Sequence, residues 1–261
     1  MIVVKFGGHA MKDENGNFAQ AIAAALATGE KVVVVHGGGP QIDAALKAKE
    51  ITSQWLGGFR VTTQAIFDVV EEVLVNQVGQ QVAATLSSSG IKARAVSARA
   101  LPTVIAKRRT TLIDGTSADL GLVGEVQKVN PTQLLEIMAD GFVPVVAPIS
   151  SDEDLKTGLN VNADFAAAAI AAALGASQLI VMTDVAGIYR NWPDKSSLID
   201  SISAVDLEAI KSGFAEGMAP KVQAALDALS YGAQAVRIID GTDPDSFASA
   251  LAGTGGTLVV A

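Results

Sequence analysis

At 261 residues and 49% apolar, the chain is long enough to bury a large core without covalent cross-links. It has no cysteine and only two histidines, His9 and His36, which removes thiol nucleophiles, disulfide frameworks and thiolate zinc sites, and no residue is assigned to a metal. The net charge of −8 speaks against nucleic-acid binding, which needs a basic face, and obliges any anion site to be built from a few local cations and helix N-termini.

Residues 2–6 read as a buried strand, and the opening apolar run is too short for a secretory leader. Phe18, Ile22 and Leu26 mark one face of a helix that stops at Gly29. Residues 31–36 form a second strand, followed by Gly37-Gly38-Gly39 and by Pro40 at a helix start. Residues 63–89 read as one long helix on which Ile66, Val70, Leu74, Val78, Val82 and Leu86 form an i+4 row. Phe67, Val69, Val73 and Val75 widen its apolar surface beyond a single stripe. Shorter strands at 104–107 and 121–126 suggest hairpins. Asn130-Pro131 opens a helix that ends at Gly141, and 142–147 is again a buried strand. A turn rich in glycine and aspartate at 150–160 is the best boundary between two lobes. Beyond it come a helix at 163–174, a strand at 178–183, helices from about Val205 and Gly217, and strands at 235–240 and 258–260. This alternation is that of βαβ units around a parallel sheet. The most apolar stretch, residues 165–176, falls well short of the roughly 20 residues a bilayer requires, so no membrane span and a soluble, cytoplasmic protein are expected.

There is no P-loop, no dinucleotide fingerprint and no nucleophile elbow. Instead, Lys5-Phe6-Gly7-Gly8 sets a lysine at a strand end before paired glycines, which let a backbone approach a phosphate closely. An ordinary turn with a solvated lysine accounts for it equally well when it stands alone. His36-Gly37-Gly38-Gly39-Pro40 repeats the arrangement at the next strand end. The crevice beyond parallel strand ends is the usual ligand site, and two glycine loops there favour a shared anion pocket over two tight turns. His36 itself reads as a packed strand-end residue rather than a catalyst. In 57–62, Arg60 offers a fork that fits a carboxylate, although a surface arginine would look the same. Asn160-Val161-Asn162-Ala163-Asp164 is on its plainest reading a helix cap with an acidic first turn. Residues 183–189 follow a buried strand and could cradle a nucleotide. Lys221, beside a helix N-terminus, runs against the macrodipole preference, which hints at a purpose beyond stability.

In order, KFGG, HGGGPQID, GGFRVT, NVNAD, TDVAGIYRNWPD and GMAPK resemble the acetylglutamate kinases, of the amino-acid kinase family, over essentially the whole chain. The resemblance implies a three-layer α/β/α sandwich around a mainly parallel sheet. Residues 1–159 would form a lobe for the acyl amino acid and 160–261 a lobe for ATP, within one continuous domain. It implies N-acetylglutamate as acceptor and ATP with Mg²⁺ as co-substrate. Lys5 and Lys221 would stabilise the transferring phosphoryl, and Asp164 would orient them. Gly38, Gly39, Arg60 and Asn160 would hold the acceptor, with Arg60 on its α-carboxylate. Gly7, Gly8, Asp184, Gly187, Ile188, Tyr189 and Phe214 would hold ATP. A γ-carboxylate is ionised at neutral pH, near its reference pKa of about 4.3, so no general base is required. A sister kinase with an aminoadipate-type acceptor is the nearest alternative, and a non-catalytic amino-acid or nucleotide sensor is the alternative from another class. The broad apolar surface of 63–89 suggests a homodimer, unless both faces are buried within one subunit. Arginine-sensitive relatives carry an extra N-terminal helix, and a histidine and a glutamate after the last long strand. Here the first strand begins at Ile2 and residues 239–258 contain neither, so insensitivity to L-arginine is expected.

Overall fold

The computed structural model describes residues 1–7, 16–100, 102–214 and 218–261; Gly8, His9 and Gly217 lie outside them. β1 (Ile2–Phe6) is buried along its length. α1 (Asn17–Ala27) turns Phe18, Ala21, Ile22 and Ala25 inward, and Gly29, at a φ of 85°, supplies the left-handed geometry that ends such a helix. β2 (Val32–His36) is buried throughout. α2 (Gly39–Ala48) carries Pro40 in its first turn, where a missing N–H is harmless. β3 (Trp55–Leu56) and β4 (Phe59–Arg60) form a tight antiparallel hairpin.

The long helix has three parts: α3 (Gln64–Glu71), a π-helical stretch (Glu72–Val78) and α4 (Gly79–Ser88). Thr63 caps it by accepting from the Ile66 amide at 3.3 Å. All six residues of the i+4 row are buried. In a regular α-helix such a row drifts by about 40° per step; the wider π turns, marked by the Gly79 amide donating to the Leu74 carbonyl, offset that drift. Phe67, Val69 and Val73 are buried within this same chain, and Val75 is half-buried. The apolar width of the helix is therefore largely covered without a partner, which removes the argument for a dimer drawn from it.

β5 (Ala93–Ser97), β6 (Val104–Arg108), β7 (Val123–Val129), α5 (Thr132–Ala139) and β8 (Val143–Ala147) follow. The turn at 150–160 is more ordered than a linker: it contributes β9 (Ile149–Ser151) and β10 (Gly158–Val161). The remainder is α6 (Ala163–Ala173), β11 (Gln178–Thr183), β12 (Ser201–Ser203), α7 (Ala204–Ile210), α8 (Ala219–Ser230), β13 (Ala235–Asp240), α9 (Ser246–Leu251) and β14 (Thr257–Val260).

Eight strands make one sheet in the order β12-β14-β13-β11-β1-β2-β8-β5. Every pairing is parallel except that of β13 with β14. The central strands β1, β2 and β8 are buried at every residue, as a sheet with helices on both faces requires. The fold is thus the α/β/α sandwich expected. β10, β7, β6 and β9 close into a small barrel beside it.

Candidate active site

One strand end and two helix starts deliver the reacting cluster. β1 brings Lys5 to its C-terminal end, α6 holds Asp164 in its first turn, and α8 holds Lys221 in its own. The Asn162 side chain caps α6 by accepting from the Asp164 amide at 2.8 Å, which fixes the carboxylate. Lys5 Nζ lies 3.1 Å from Asp164 Oδ1 and donates to the Met182 carbonyl on β11 at 3.2 Å. Lys221 Nζ donates to Asp164 Oδ2 at 3.0 Å. Burial alone would raise the Asp164 carboxyl, but the two ammonium groups more than offset it and hold it well below the usual carboxylate range. Asp164 in turn raises the Lys221 ammonium, whereas burial lowers that of Lys5. Two cations around one carboxylate leave an excess positive charge, a local reversal of the chain's negative balance.

Two chambers meet at this cluster. The smaller, about 470 Å³, is lined by Gly38, Gly39, Arg60, Asn160 and Asp164 as well as by both lysines. Arg60 is buried; its Nη1 donates to Asp43 Oδ1 at 2.7 Å and to Ser53 Oγ at 2.8 Å. Its Nη2 is buried with no partner, an uncompensated donor that a ligand oxygen would satisfy. Asn160 donates from Nδ2 to Thr62 Oγ1 at 3.1 Å. Gly38 is required for space rather than for φ: a Cβ there would lie 2.6 Å from Leu74 Cδ2 of the π-helical stretch.

The larger chamber, about 980 Å³, is lined by Gly7, Asp184, Tyr189, Trp192 and Phe214, and again by Lys5 and Lys221. Gly187 and Ile188, which the sequence suggests for this wall, stand behind it. Ile188 is wholly buried and its amide donates to Thr257 Oγ1 at 2.8 Å, while a Cβ on Gly187 would collide with that same hydroxyl. Both shape the loop from within.

His36 lines neither chamber. It is fully buried, its Nδ1 lies 2.9 Å from the Gly37 carbonyl, and Nε2 has no partner. With Nδ1–H as donor the ring is neutral, and burial pushes its pKa down to about 4. It braces the glycine loop, as a packed strand-end residue does. Sequence reasoning missed Asp43, Ser53 and Trp55, which lie on separate elements and meet only around Arg60.

A cation cluster at the strand ends of a mainly parallel α/β sheet, set between two chambers, is the arrangement of a kinase that positions its substrates and neutralises charge. The chain belongs to the amino acid kinase family, whose model matches residues 1–240. It is similar to the acetylglutamate kinase of Beutenbergia cavernae, at 45% identity over 94% of this chain and 79% of that protein. To the acetylglutamate kinase of Arthrobacter sp. strain FB24 the identity is 46%, over 94% of this chain and 81% of that protein. Among solved structures, smu.665 from Streptococcus mutans UA159 superposes with a TM-score of 0.83 at 26% identity, covering 99% of this chain and 98% of that one.

Proposed function

We propose that the enzyme transfers the γ-phosphoryl of ATP to the γ-carboxylate of N-acetyl-L-glutamate, as in arginine biosynthesis. The observation that carries this reading is the Lys5–Asp164–Lys221 cluster at the junction of two chambers, taken with relatives at 45% and 46% identity that are acetylglutamate kinases. The smaller chamber takes the acyl amino acid, its α-carboxylate on Arg60 Nη2 and its γ-carboxylate toward the lysines. The larger chamber takes ATP. In this reading residues 1–159 form the acceptor lobe and 160–261 the nucleotide lobe, with Asn160 and Asp164 reaching back across the boundary.

The chemistry follows from the charges. The acceptor carboxylate is already ionised and needs no base. Asp164, ionised between two ammonium groups, organises rather than accepts a proton. Lys5 and Lys221, oriented by one carboxylate, offset the negative charge spread over the phosphoryl oxygens as it moves between chambers. Amides at the start of α2, beside Gly38 and Gly39, add donors at a helix N-terminus. Mg²⁺ enters with ATP as part of that substrate. Such an ion rides on phosphates and keeps its own waters; Asp184 is a carboxylate of the larger chamber available to face it. We further propose a homodimer, by analogy with the family alone, and a cytoplasmic location, where ATP and amino-acid precursors are found.

A coupled assay of ADP release tests the reading, with N-acetylglutamate, glutamate, aminoadipate and no acceptor compared. Turnover selective for N-acetylglutamate is expected. Equal or better turnover with aminoadipate would transfer the enzyme to the sister kinases, and no acceptor-dependent turnover would leave only a sensor.

A further inference from the structure

Among the described residues, two side chains outside the reacting cluster line both chambers, Pro40 and Trp55. Trp55 on β3 faces Arg60 in the hairpin register, and the Arg60 guanidinium lies over its indole at 4.5 Å. The ring therefore rests on the cation whose free Nη2 is assigned to the acceptor. The same indole lines the larger chamber together with Tyr189 and Trp192. Even so it is 58% exposed, a large apolar surface left open at the mouth of a cleft.

The hairpin that carries it is a sheet of two short strands, joined to neither the main sheet nor the barrel. Such a hairpin is at best marginally stable alone, so its pose depends on what it touches. β4 is well anchored, with Phe59 buried against Leu120 and Val123 and stacked on Phe165, and Arg60 donating to Asp43 and Ser53, whereas β3, which carries Trp55, is exposed. Asp43 is itself largely exposed, so water reaches one side of its pair with Arg60.

We propose that Trp55 couples the two sites, so that acceptor and nucleotide each raise the other's affinity. An acceptor carboxylate on Arg60 Nη2 adds a partner on the second arm of a guanidinium already held by Asp43 and Ser53, and the guanidinium steadies the indole stacked on it. A fixed indole walls the mouth of the nucleotide chamber, where a bound nucleotide covers its exposed face. The ordering of the exposed indole is then incurred once for two ligands, which is a source of positive coupling. This rests on the assignment of the chambers made above.

The test is calorimetric titration of the wild type with N-acetylglutamate and with a non-hydrolysable Mg²⁺–ATP analogue, each alone and with the other saturating. Linkage requires the same enhancement in both directions; on the order of 10-fold is expected in the wild type and less than about 2-fold in Trp55→Ala. Each ligand alone should bind Trp55→Ala more weakly than wild type, since the indole lines both chambers, so the quantity read is the ratio of affinities with and without the other ligand. Trp55→Phe, which keeps a ring over the guanidinium, should give an intermediate factor and serves if the alanine variant folds poorly. No enhancement in the wild type, or the same enhancement in Trp55→Ala and Trp55→Phe, overturns the coupling while phosphoryl transfer to N-acetylglutamate persists. Loss of acceptor binding outright in both variants also overturns it, making Trp55 part of the grip. A wild type that neither binds nor phosphorylates N-acetylglutamate overturns the function, and the coupling with it.

Discussion

Two cation–carboxylate groups border the same site and are built in opposite ways. Lys5 and Lys221 share Asp164, whose side chain is 5% exposed; Arg60 pairs with Asp43, whose side chain is 57% exposed. A carboxylate shut away from water acts through a poorly screened field, so the lysines it orients remain strong where charge develops. A carboxylate at the rim is screened and sets direction more than energy. The first arrangement suits a transition state and the second suits holding a substrate. The difference predicts which kinetic parameter each residue moves.

The comparison breaks most visibly at its buried member. Asp164→Asn leaves two ammonium groups facing each other without a carboxylate, and should lower stability to urea by ~3–5 kcal/mol, the usual result of removing one partner from a buried pair. A smaller change than ~1 kcal/mol would mean that water already reaches the cluster. Next in size, Lys5→Ala and Lys221→Ala should each reduce kcat by at least ~10²-fold, as the loss of a transition-state donor does. Near wild-type turnover in either variant would remove that lysine from the transfer step.

His36 sharpens the contrast as a buried group with no charged partner at all. Its folded pKa of about 4 lies below the ordinary 6.5, so the unfolded chain binds a proton the native chain refuses. The stability is present above pH 6.5 and is lost as pH falls toward 4. Between pH 7.5 and 5, ahead of most carboxylate titrations, the loss should be about 2 kcal/mol. Urea unfolding of the wild type and His36→Gln at both pH values would read it, because the variant should lack this slope.

The rim should give the smallest and most selective effects. Arg60→Ala should raise KM for the acceptor by roughly 10- to 30-fold with kcat little changed, because a grip on a remote carboxylate serves ground and transition states alike, and the KM for ATP should rise by no more than the roughly 10-fold carried through Trp55. Asp43→Ala should raise the same KM by less than about 5-fold, in line with a solvent-exposed pair. An ATP-selective defect in either variant would put the arginine in the wrong chamber.

How much of this was legible beforehand depended on burial. The central strands β1, β2, β8 and β11 are covered on both faces, so they read as largely apolar runs and their limits could be placed within a residue or so. The barrel strands β9 and β10 are short and contain Ser150, Ser151, Gly158 and Asn160, which in a sequence look like a loop; only their pairing with β6 and β7 makes them strands. α9 and β12 were too short to carry a period. The π-helical stretch did leave a signal, the strict four-residue spacing that an α-helix cannot keep on one face for six positions. At the site, Lys5, Lys221 and the glycines stand out because they break the pattern at strand ends and helix starts. Asp43 does not: a polar residue on an exposed helix face looks solvated until the hairpin is folded against it.

The place of β1 in the sheet has a consequence for synthesis. It precedes both of its neighbours in the chain and is an interior strand, paired on one side with β2 and on the other with β11. Lys5 and the Met182 carbonyl it bonds are 177 residues apart. On a ribosome adding 5–20 residues per second, an interval of about 10–35 s separates the appearance of this lysine from that of its neighbour. Over that interval one edge of β1 has no partner strand, an apolar template for pairing with other chains. Asp164 and Lys221 likewise arrive late, so no nascent portion of the enzyme can neutralise a phosphoryl group before the sheet is nearly complete. Folding of this kind, dominated by distant pairings, is intrinsically slow, and the unpaired early strand is where assistance from a chaperone would matter most.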